Sequence, residues 1–175
     1  PCILWVDEIE KGLAGASSRG DTGTSARLLG HFLFWLQEST ERVFVVATAN
    51  DLSSLPSELL RKGRFDELFF IDLPSETERA DIIQLYATRY LKEPIPTPLL
   101  EGLVEMSAGF SGSDLEAAIR DLAKIAILHG QSAITQDVLK QCFAGVVPFS
   151  TSNPEQLKRI QDWGRERARP AAGRH

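Results

Sequence analysis

The sequence predicts an α/β fold in which a parallel sheet comes first and a helical subdomain follows. Two short apolar runs without polar alternation, at residues 2–6 and 43–48, are typical of strands buried on both faces of a parallel sheet. A helical repeat of leucine and phenylalanine over about residues 24–39 separates them. After about residue 74 only helical patterns remain, which predicts an all-helical subdomain behind the sheet.

Two smaller elements complete the first part of the chain. Residues 55–61 resemble a short helix with Pro56 in its first turn, a position that tolerates proline. Residues 69–71 are apolar and predict a third short buried strand.

Capping residues mark where the later helices begin. Ser75 with Glu78 and Ser113 with Glu116 each have the spacing of a capping box, in which a serine and a glutamate close the first turn of a helix. Thr135 precedes a further helical segment as its N-cap. We therefore expect helices to start just after Ser75, Ser113 and Thr135.

Composition narrows the class of protein. With 43% hydrophobic and 25% charged residues, the chain has the balance of an ordinary soluble globular protein. No apolar run reaches the roughly 18 residues of a membrane span, and the sequence has no stretch with the pattern of a signal peptide. The two cysteines, Cys2 and Cys142, make no disulfide framework, which favours a reducing compartment such as the cytosol.

Charge is distributed unevenly along the chain. Residues 153–175 contain six basic and three acidic side chains, a net charge of +3. Because the whole chain has a formal net charge of −5, residues 1–152 carry a net charge of −8. An acidic body does not predict general nucleic-acid binding. The basic tail fits either a contact with DNA or a solvated helix docked through Leu157, Ile160 and Trp163 on the helical subdomain, and the second interpretation is favoured.

The start of the chain suggests that a segment is missing. There is no initiator methionine, and the first residues lie within a predicted buried strand. A parallel sheet cannot begin there without leaving the neighbours of that strand absent. We therefore expect this chain to be the C-terminal part of a longer protein.

Two carboxylates directly follow the first predicted strand. Ligands of open α/β sheets bind at the carboxyl ends of the strands, where Asp7 and Glu8 would lie. Asp7 could hold a Mg²⁺ ion bound to phosphate, and Glu8 could orient or deprotonate a water molecule. An ordinary solvated turn after the strand is an equally good interpretation of these residues alone.

Further polar residues have the same double interpretation. Asn50 follows the second strand, where its amide could contact a phosphate or an attacking water, although asparagine is also common in turns. Arg61, Lys62 and Arg64 surround a glycine, which usually marks a solvated surface. Arginine is nevertheless well suited to bidentate contact with phosphate.

Taken together, these landmarks resemble those of an AAA-type ATPase of the P-loop NTPase class. Asp7-Glu8 resembles the Walker B motif, Asn50 matches the sensor 1 position, and residues 60–66 resemble the second region of homology with both arginine-finger positions filled. Residues 109–115 (GFSGSDL) resemble the turn where the helical lid meets the nucleotide. Finer stretches, including PCILWVDEIEKGLAG and WGRERARP, look most like cyanobacterial and plastid AAA proteins named for a hypothetical chloroplast frame.

The resemblance implies an organisation and a mechanism. Residues 1–74 would be the end of the ATPase core, 75–145 the helical lid and 146–175 a basic linker and helix. The whole protein would bind ATP with Mg²⁺ and hydrolyse it. Its site residues would be Asp7 on the metal, Glu8 and Asn50 on the water, Gly112 and Ser113 near the nucleotide, and Arg61 and Arg64 reaching the nucleotide of a neighbour.

The resemblance also implies partners and a location. The arginines would make a homo-oligomeric ring necessary, expected to be a hexamer, acting on a protein substrate that the sequence does not identify. Neither a membrane nor a nucleic-acid partner is expected, and the location would be the cytosol, or the stroma in a plastid-bearing organism.

Two departures qualify the resemblance. The chain has no G-x-x-x-x-G-K-[ST] sequence, so we expect it to be inactive by itself; the first pore loop, which normally precedes Walker B, is absent as well. Ser113 and Asp114 occur where some relatives carry a sensor 2 arginine. A nucleotide-gated scaffold and a DNA remodeller similar to clamp loaders remain alternatives.

Overall fold

The protein is described here from a computed structural model, which divides the chain into two compact units. The first unit is Pro1–Phe70 with Trp163–Arg169, and the second is Ile71–Asp162 with Pro170–His175. The structure describes residues 1–13, 24–51, 55–61, 63–130 and 134–172, and for 24–26 the backbone alone.

The first unit contains the parallel strand pair that the sequence predicts. β1 and β2 align in register from Cys2 opposite Val43 to Val6 opposite Ala47. In chain order the elements of this unit are β1 (Cys2–Val6), α1 (Ile9–Leu13), α2 (Thr24–Glu38), β2 (Val43–Ala47) and β3 (Phe69–Phe70). The parallel pairing requires a crossover connection, and α2 provides it.

A small apolar cluster holds α1 and α2 against one face of this pair. Its fully buried members are Ile9, Leu13 and Leu59. Partly buried side chains from α2 and the ends of both strands surround them: Val6, Leu29, Phe32, Leu33, Leu36, Ala47, Ala49, Leu55 and Phe65. Apolar burial of this kind is the main stabilising term available to the first unit.

The prediction that these strands are buried on both faces is wrong for this structure. Ile3 is 73% exposed and Trp5 is 61% exposed, and Phe44 on β2 is exposed as well. The reason is that β1 pairs with β2 alone in the described part of the chain, and the elements of the apolar cluster cover one face only.

Two smaller predictions also need correction. Residues 55–61 form successive turns rather than a helix, with the Leu59 N–H donating to the Pro56 carbonyl three residues earlier, at 3.0 Å. β3 is a strand but belongs to a separate two-stranded sheet with β4 (Arg169–Pro170), and Phe69 is exposed. Its partner is distant in sequence, so the local apolar pattern could not identify the pairing.

The end of the terminal helix belongs to the first unit. α8 (Pro154–Arg167) carries Gly164, and a Cβ at this position would lie 2.3 Å from the Phe70 ring. Only glycine leaves room for that approach. Arg169 then donates its backbone N–H to Leu68 and forms an ion pair with Glu67. The expected docking through Trp163 on the helical subdomain is therefore wrong, since residues 163–169 pack with the first unit.

Between Ile71 and Asp162 the described elements of the second unit are all helices, and they surround one apolar core. α3 packs along α5, and α4 and α6 complete the core, in which Ile83, Leu115 and Leu122 are fully buried. Its helices are α3 (Glu76–Tyr90), α4 (Thr97–Met106), α5 (Gly112–His129), α6 (Gln136–Ala144), α7 (Phe149–Ser152) and the first part of α8. No helix in the described ranges is long and apolar enough to cross a membrane.

Two predicted helix starts are confirmed. Ser75 caps α3 and forms the full capping box with Glu78, and the Thr135 side chain accepts from the Val138 N–H at the start of α6. Each cap satisfies backbone N–H groups that the first turn of a helix leaves without partners.

The predicted capping box of Ser113 with Glu116 is wrong. The N-cap of α5 is Ser111, whose side chain accepts from the Asp114 N–H while the Asp114 carboxylate accepts from the Ser111 N–H at 2.7 Å. Ser113 therefore lies inside the first turn of α5. Asp114 takes the place of glutamate in this box, so the serine-to-glutamate spacing of Ser113 and Glu116 does not mark the cap.

The corrected cap can be tested by removing each serine hydroxyl in turn. We expect Ser111→Ala to lower the free energy of unfolding of the second unit by about 1 kcal/mol, because a helix N-cap is lost. Ser113→Ala is the matched control and should change it by less than about 0.5 kcal/mol. Urea denaturation followed by circular dichroism measures both, and a larger loss for Ser113→Ala would contradict the assignment.

Candidate functional site

The register of the parallel pair brings two polar residues to the same edge of the sheet. Val6 is aligned with Ala47, and the Thr48 N–H donates to the Val6 carbonyl at 2.9 Å. The next residues, Asp7 and Thr48, therefore leave the two strands side by side. The carboxyl ends of parallel strands are where open α/β sheets bind ligands.

The Thr48 hydroxyl links the two carboxylate residues. Its Oγ1 donates to Asp7 Oδ1 at 2.5 Å and accepts from the Glu8 N–H at 2.9 Å. One side chain thereby satisfies a backbone donor and holds a carboxylate in place. Orientation by such a neighbouring group is what a metal-binding or catalytic side chain requires.

Glu8 has an unusual backbone conformation. Its φ is +49°, in the left-handed region that residues other than glycine rarely adopt. Such residues cluster at functional sites, because the surrounding structure must hold them there. Here the Ile9 N–H donates to the Thr48 carbonyl directly after Glu8, and the turn directs the chain from β1 into α1.

The Glu8 carboxylate contacts two side chains. Oε1 accepts from the Asn50 side-chain amide at 3.2 Å, and Oε2 forms an ion pair with Lys11 Nζ at 2.6 Å. The hydrogen bond to Glu8 raises the pKa of Lys11 above its ordinary value. The Lys11 side chain is mostly exposed, so solvent screens this pair and it contributes little to stability.

Asn50 is also held through its backbone. Its N–H donates to Oε1 of Glu10 at 3.1 Å, and Glu10 is only 5% exposed. The other oxygen of Glu10, Oε2, is buried and has no hydrogen-bond partner within the described residues. The structure thus brings together three residues that the sequence predicts, Asp7, Glu8 and Asn50.

The donor set at this edge suits a magnesium ion carried by phosphate. Asp7 is exposed and supplies a carboxylate, the ligand type that Mg²⁺ prefers. Within the described ranges no group of three or more His, Cys, Asp or Glu side chains is arranged to hold a metal. A site of one carboxylate fits Mg²⁺, which usually keeps several waters and takes its other ligands from substrate phosphates.

The two predicted arginines lie on a separate turn of the same unit. Arg64 donates from Nη1 to the Glu58 carbonyl, and Arg61 is exposed. Gly63 between them has a φ of +92°, which favours glycine. In the described part of the chain neither arginine forms a hydrogen bond or ion pair with the carboxylates, and Lys62 lies outside that part.

The remaining predicted residues lie in the second unit. Gly112 begins α5, and Ser113 Oγ lies 2.9 Å from Ser111 Oγ. A Cβ at Gly112 would meet nothing within 4 Å, so the backbone there is open to approach.

Sequence reasoning missed three residues of the site: Thr48, Glu10 and Lys11. Thr48 is the last residue of the second predicted strand, 43–48, and only the observed register of β1 and β2 places it beside Asp7. Lys11 lies one helical turn after Glu8, a spacing at which opposite charges pair. No local signal distinguishes the buried Glu10 from an exposed glutamate.

Known proteins are similar to this chain in sequence and in fold. The model of the ATPase family associated with various cellular activities (AAA) matches residues 1–73. An uncharacterised AAA domain-containing protein, ycf46, of Pyropia yezoensis is 43% identical over 98% of this chain and 35% of its own length. The ycf46 protein of Guillardia theta is 41% identical over 93% of this chain and 32% of its own length.

More distant relatives and solved structures agree with this assignment. The proteasome-activating nucleotidase of Aeropyrum pernix is 36% identical over 78% of this chain and 34% of its own length. The crystal structure of the FIGL-1 AAA domain in complex with ADP superposes with a TM-score of 0.70 at 22% identity, covering 95% of this chain and 57% of that domain. This likeness confirms the predicted α/β class.

The chain spans about a third of the length of these curated relatives. Within that span, the family model covers the strand pair and its carboxylates, and the ycf46 proteins cover nearly the whole chain. Residues 1–73 therefore belong to the AAA family of ATPases, and among these relatives the chain is most similar to the ycf46 AAA proteins.

Proposed function

We propose that the whole protein binds ATP with Mg²⁺ and hydrolyses it as a ring-forming AAA ATPase that remodels a macromolecular partner. The observation that carries the proposal is the hydrogen-bonded set formed by Asp7, Thr48, Glu8 and Asn50 at the carboxyl edge of β1 and β2. The ADP complex of the FIGL-1 domain and the nucleotidase relative support nucleotide binding.

Each residue of this set has a role that its contacts suit. Asp7, oriented by Thr48, would hold the Mg²⁺ ion, which when bound supplies positive charge against the phosphates. Glu8 would accept a proton from the attacking water, and the Asn50 amide, already bonded to Glu8, would keep that water in line. Most of the rate enhancement would come from positioning and charge stabilisation.

Lys11 also contacts the carboxylate that would act on the water. Both oxygens of Glu8 already accept a hydrogen bond, one from Asn50 and one from Lys11. Each carboxylate oxygen has a second lone pair, so a water can bind to Glu8 beside the Lys11 contact or in place of it. The pair is exposed, so its opening costs little free energy compared with a buried pair.

Arg61 and Arg64 would act on the nucleotide bound by a neighbouring subunit. Their turn is separate from the carboxylates, and Arg64 uses one nitrogen on the Glu58 carbonyl. This arrangement favours a homo-oligomeric ring, which we propose to be a hexamer. Gly112 and Ser113 at the start of α5 would contact the nucleotide from the lid, and hydrolysis would move the lid in a hinge-type closure.

The 175-residue chain by itself would not turn over ATP. It contains no G-x-x-x-x-G-K-[ST] sequence, and backbone N–H groups of such a loop cradle the phosphates. We propose that the whole protein lies in the cytosol or in a plastid stroma, on the basis of the two free cysteines of this chain and its ycf46 relatives.

Because Asp7 and Glu8 have different proposed roles, replacing each of them in the whole protein should cause a different defect. Glu8→Gln should retain ATP affinity and lose about 10²- to 10⁴-fold in kcat, because an amide is a far poorer base than a carboxylate. Asp7→Asn should instead weaken the Mg²⁺-dependent part of ATP binding. Phosphate release measures kcat, and calorimetry with and without Mg²⁺ measures affinity.

Glu41→Gln is the matched control for this test, because Glu41 is an exposed glutamate between α2 and β2. It should behave as the parent in both measurements. Parental turnover by Glu8→Gln would contradict the role of Glu8, and an unchanged Mg²⁺ dependence in Asp7→Asn would contradict the role of Asp7.

A second prediction concerns Arg64 and the ring. Arg64→Ala should abolish most turnover while ATP binding is retained, because a supplied arginine is worth about 10³- to 10⁵-fold through charge stabilisation. Mixing Arg64→Ala protein with Glu8→Gln protein should restore part of the activity. In mixed rings some sites combine an intact Glu8 with an intact Arg64 from the neighbour.

Arg27→Ala, an exposed arginine of α2, serves as the control and should leave turnover unchanged. Assembly of mixed rings is verified by native mass spectrometry of differently tagged proteins. If mixed rings form and no activity returns, Arg64 acts within its own subunit and the argument for a ring is lost.

A further inference from the structure

Glu10 is the only charged side chain that is buried in the described part of the chain. It lies in α1 and is 5% exposed. Removing a carboxylate from water costs free energy unless its oxygens find hydrogen-bond donors. Only Oε1 has a donor within the described residues, whereas Oε2 is buried without one. Burial of Glu10 is therefore a cost to stability, and packing alone does not account for the residue.

The single contact of Glu10 falls on the backbone of Asn50. Past the end of β2, the Thr48 N–H still bonds to Val6, and the Thr48 carbonyl accepts from Ile9. Two residues further on, the Asn50 N–H donates to Glu10 Oε1 at 3.1 Å. Glu10 thus holds the backbone of Asn50 where the strand ladder has already ended.

The short helix that carries Glu10 is anchored by apolar packing. The neighbours of Glu10 in α1, Ile9 and Leu13, are 6% and 5% exposed and belong to the buried apolar cluster of the first unit. These anchors on either side leave the glutamate little freedom to move. The Asn50 side chain, in turn, donates to Glu8 Oε1 at 3.2 Å. Asn50 is therefore held at its backbone by one glutamate and at its amide by another.

We infer that Glu10 is a positioning residue for ATP hydrolysis, which keeps the Asn50 amide on the Glu8 carboxylate. The inference rests on the proposed function, in which Glu8 and Asn50 act on the attacking water. Glu10 itself touches neither nucleotide nor water in this scheme. Its loss should lower kcat and leave ATP affinity unchanged, since the groups assigned to nucleotide binding remain.

The test uses the whole protein and three substitutions of Glu10. Glu10→Met has similar length and no acceptor, and should lower kcat by about 10- to 100-fold, the loss expected from a small displacement at a reacting centre. Glu10→Gln keeps an acceptor oxygen for Asn50 and should recover most of this loss. Glu10→Asp is one methylene shorter and should be slower than Glu10→Gln.

Leu36→Ala is the control for a purely structural effect. It removes packing of α2 against the same apolar cluster and leaves α1 and the Glu10 carboxylate in place. At temperatures where denaturation curves show it folded, its kcat should equal the parental value. A loss in Leu36→Ala as large as that in Glu10→Met would mean that destabilisation explains the defect, and would overturn the inference.

A double-mutant cycle identifies the residue through which Glu10 acts. Asn50→Ala alone should be slow, and Glu10→Met combined with Asn50→Ala should be no slower, because the amide to be positioned is already gone. If the two losses multiply, Glu10 acts elsewhere and the inference is wrong.

Failure of the proposed function would look different. In that case the parent would not hydrolyse ATP, or Glu8→Gln would be as fast as the parent. A slow Asn50→Ala with a fast Glu10→Met would overturn only the inference about Glu10. If Glu10→Met does not fold, equal kcat values for Glu10→Gln and Glu10→Asp would overturn it.

Discussion

The candidate site depends on one hydroxyl group, that of Thr48, at the carboxyl ends of a parallel strand pair. Thr48 donates to Asp7 and accepts from the Glu8 backbone, so both carboxylate residues are oriented by the strand that lies beside them. This requires the observed register, with Val6 opposite Ala47. A shift of one residue would turn every side chain of the strand to the opposite face and separate these groups.

Two features at this edge of the sheet are energetically unfavourable, and the surrounding packing must offset them. Glu8 adopts a left-handed backbone, and Glu10 is a buried carboxylate with one oxygen that has no partner in the described residues. Ile9 and Leu13 of α1 form a buried apolar cluster with Leu59, and this packing stabilises the short helix that follows Glu8 and carries Glu10. Departures from local preference that packing sustains are expected at functional sites.

In the second unit a single carboxylate organises two helix starts. Asp114 Oδ2 accepts from the Ser111 N–H at 2.7 Å and from the Phe149 N–H at 3.0 Å. The first bond closes the cap of α5, and the second holds the beginning of α7. The residues that we propose to contact nucleotide, Gly112 and Ser113, therefore lie in a turn whose geometry is tied to the C-terminal part of the same unit.

By itself the sequence determined the α/β class, the helix starts after Ser75 and Thr135, and the candidate roles of Asp7 and Glu8. These follow from local periodicity, capping spacing and motif order, which need no distant contact. Tertiary structure alone decided that Thr48 and Glu10 join the site, that Ser111 rather than Ser113 caps α5, and that β3 pairs with β4. The reason is that the contacts of Thr48 and Glu10 join residues about 40 positions apart, and strand register and burial, which local patterns do not encode, bring them together.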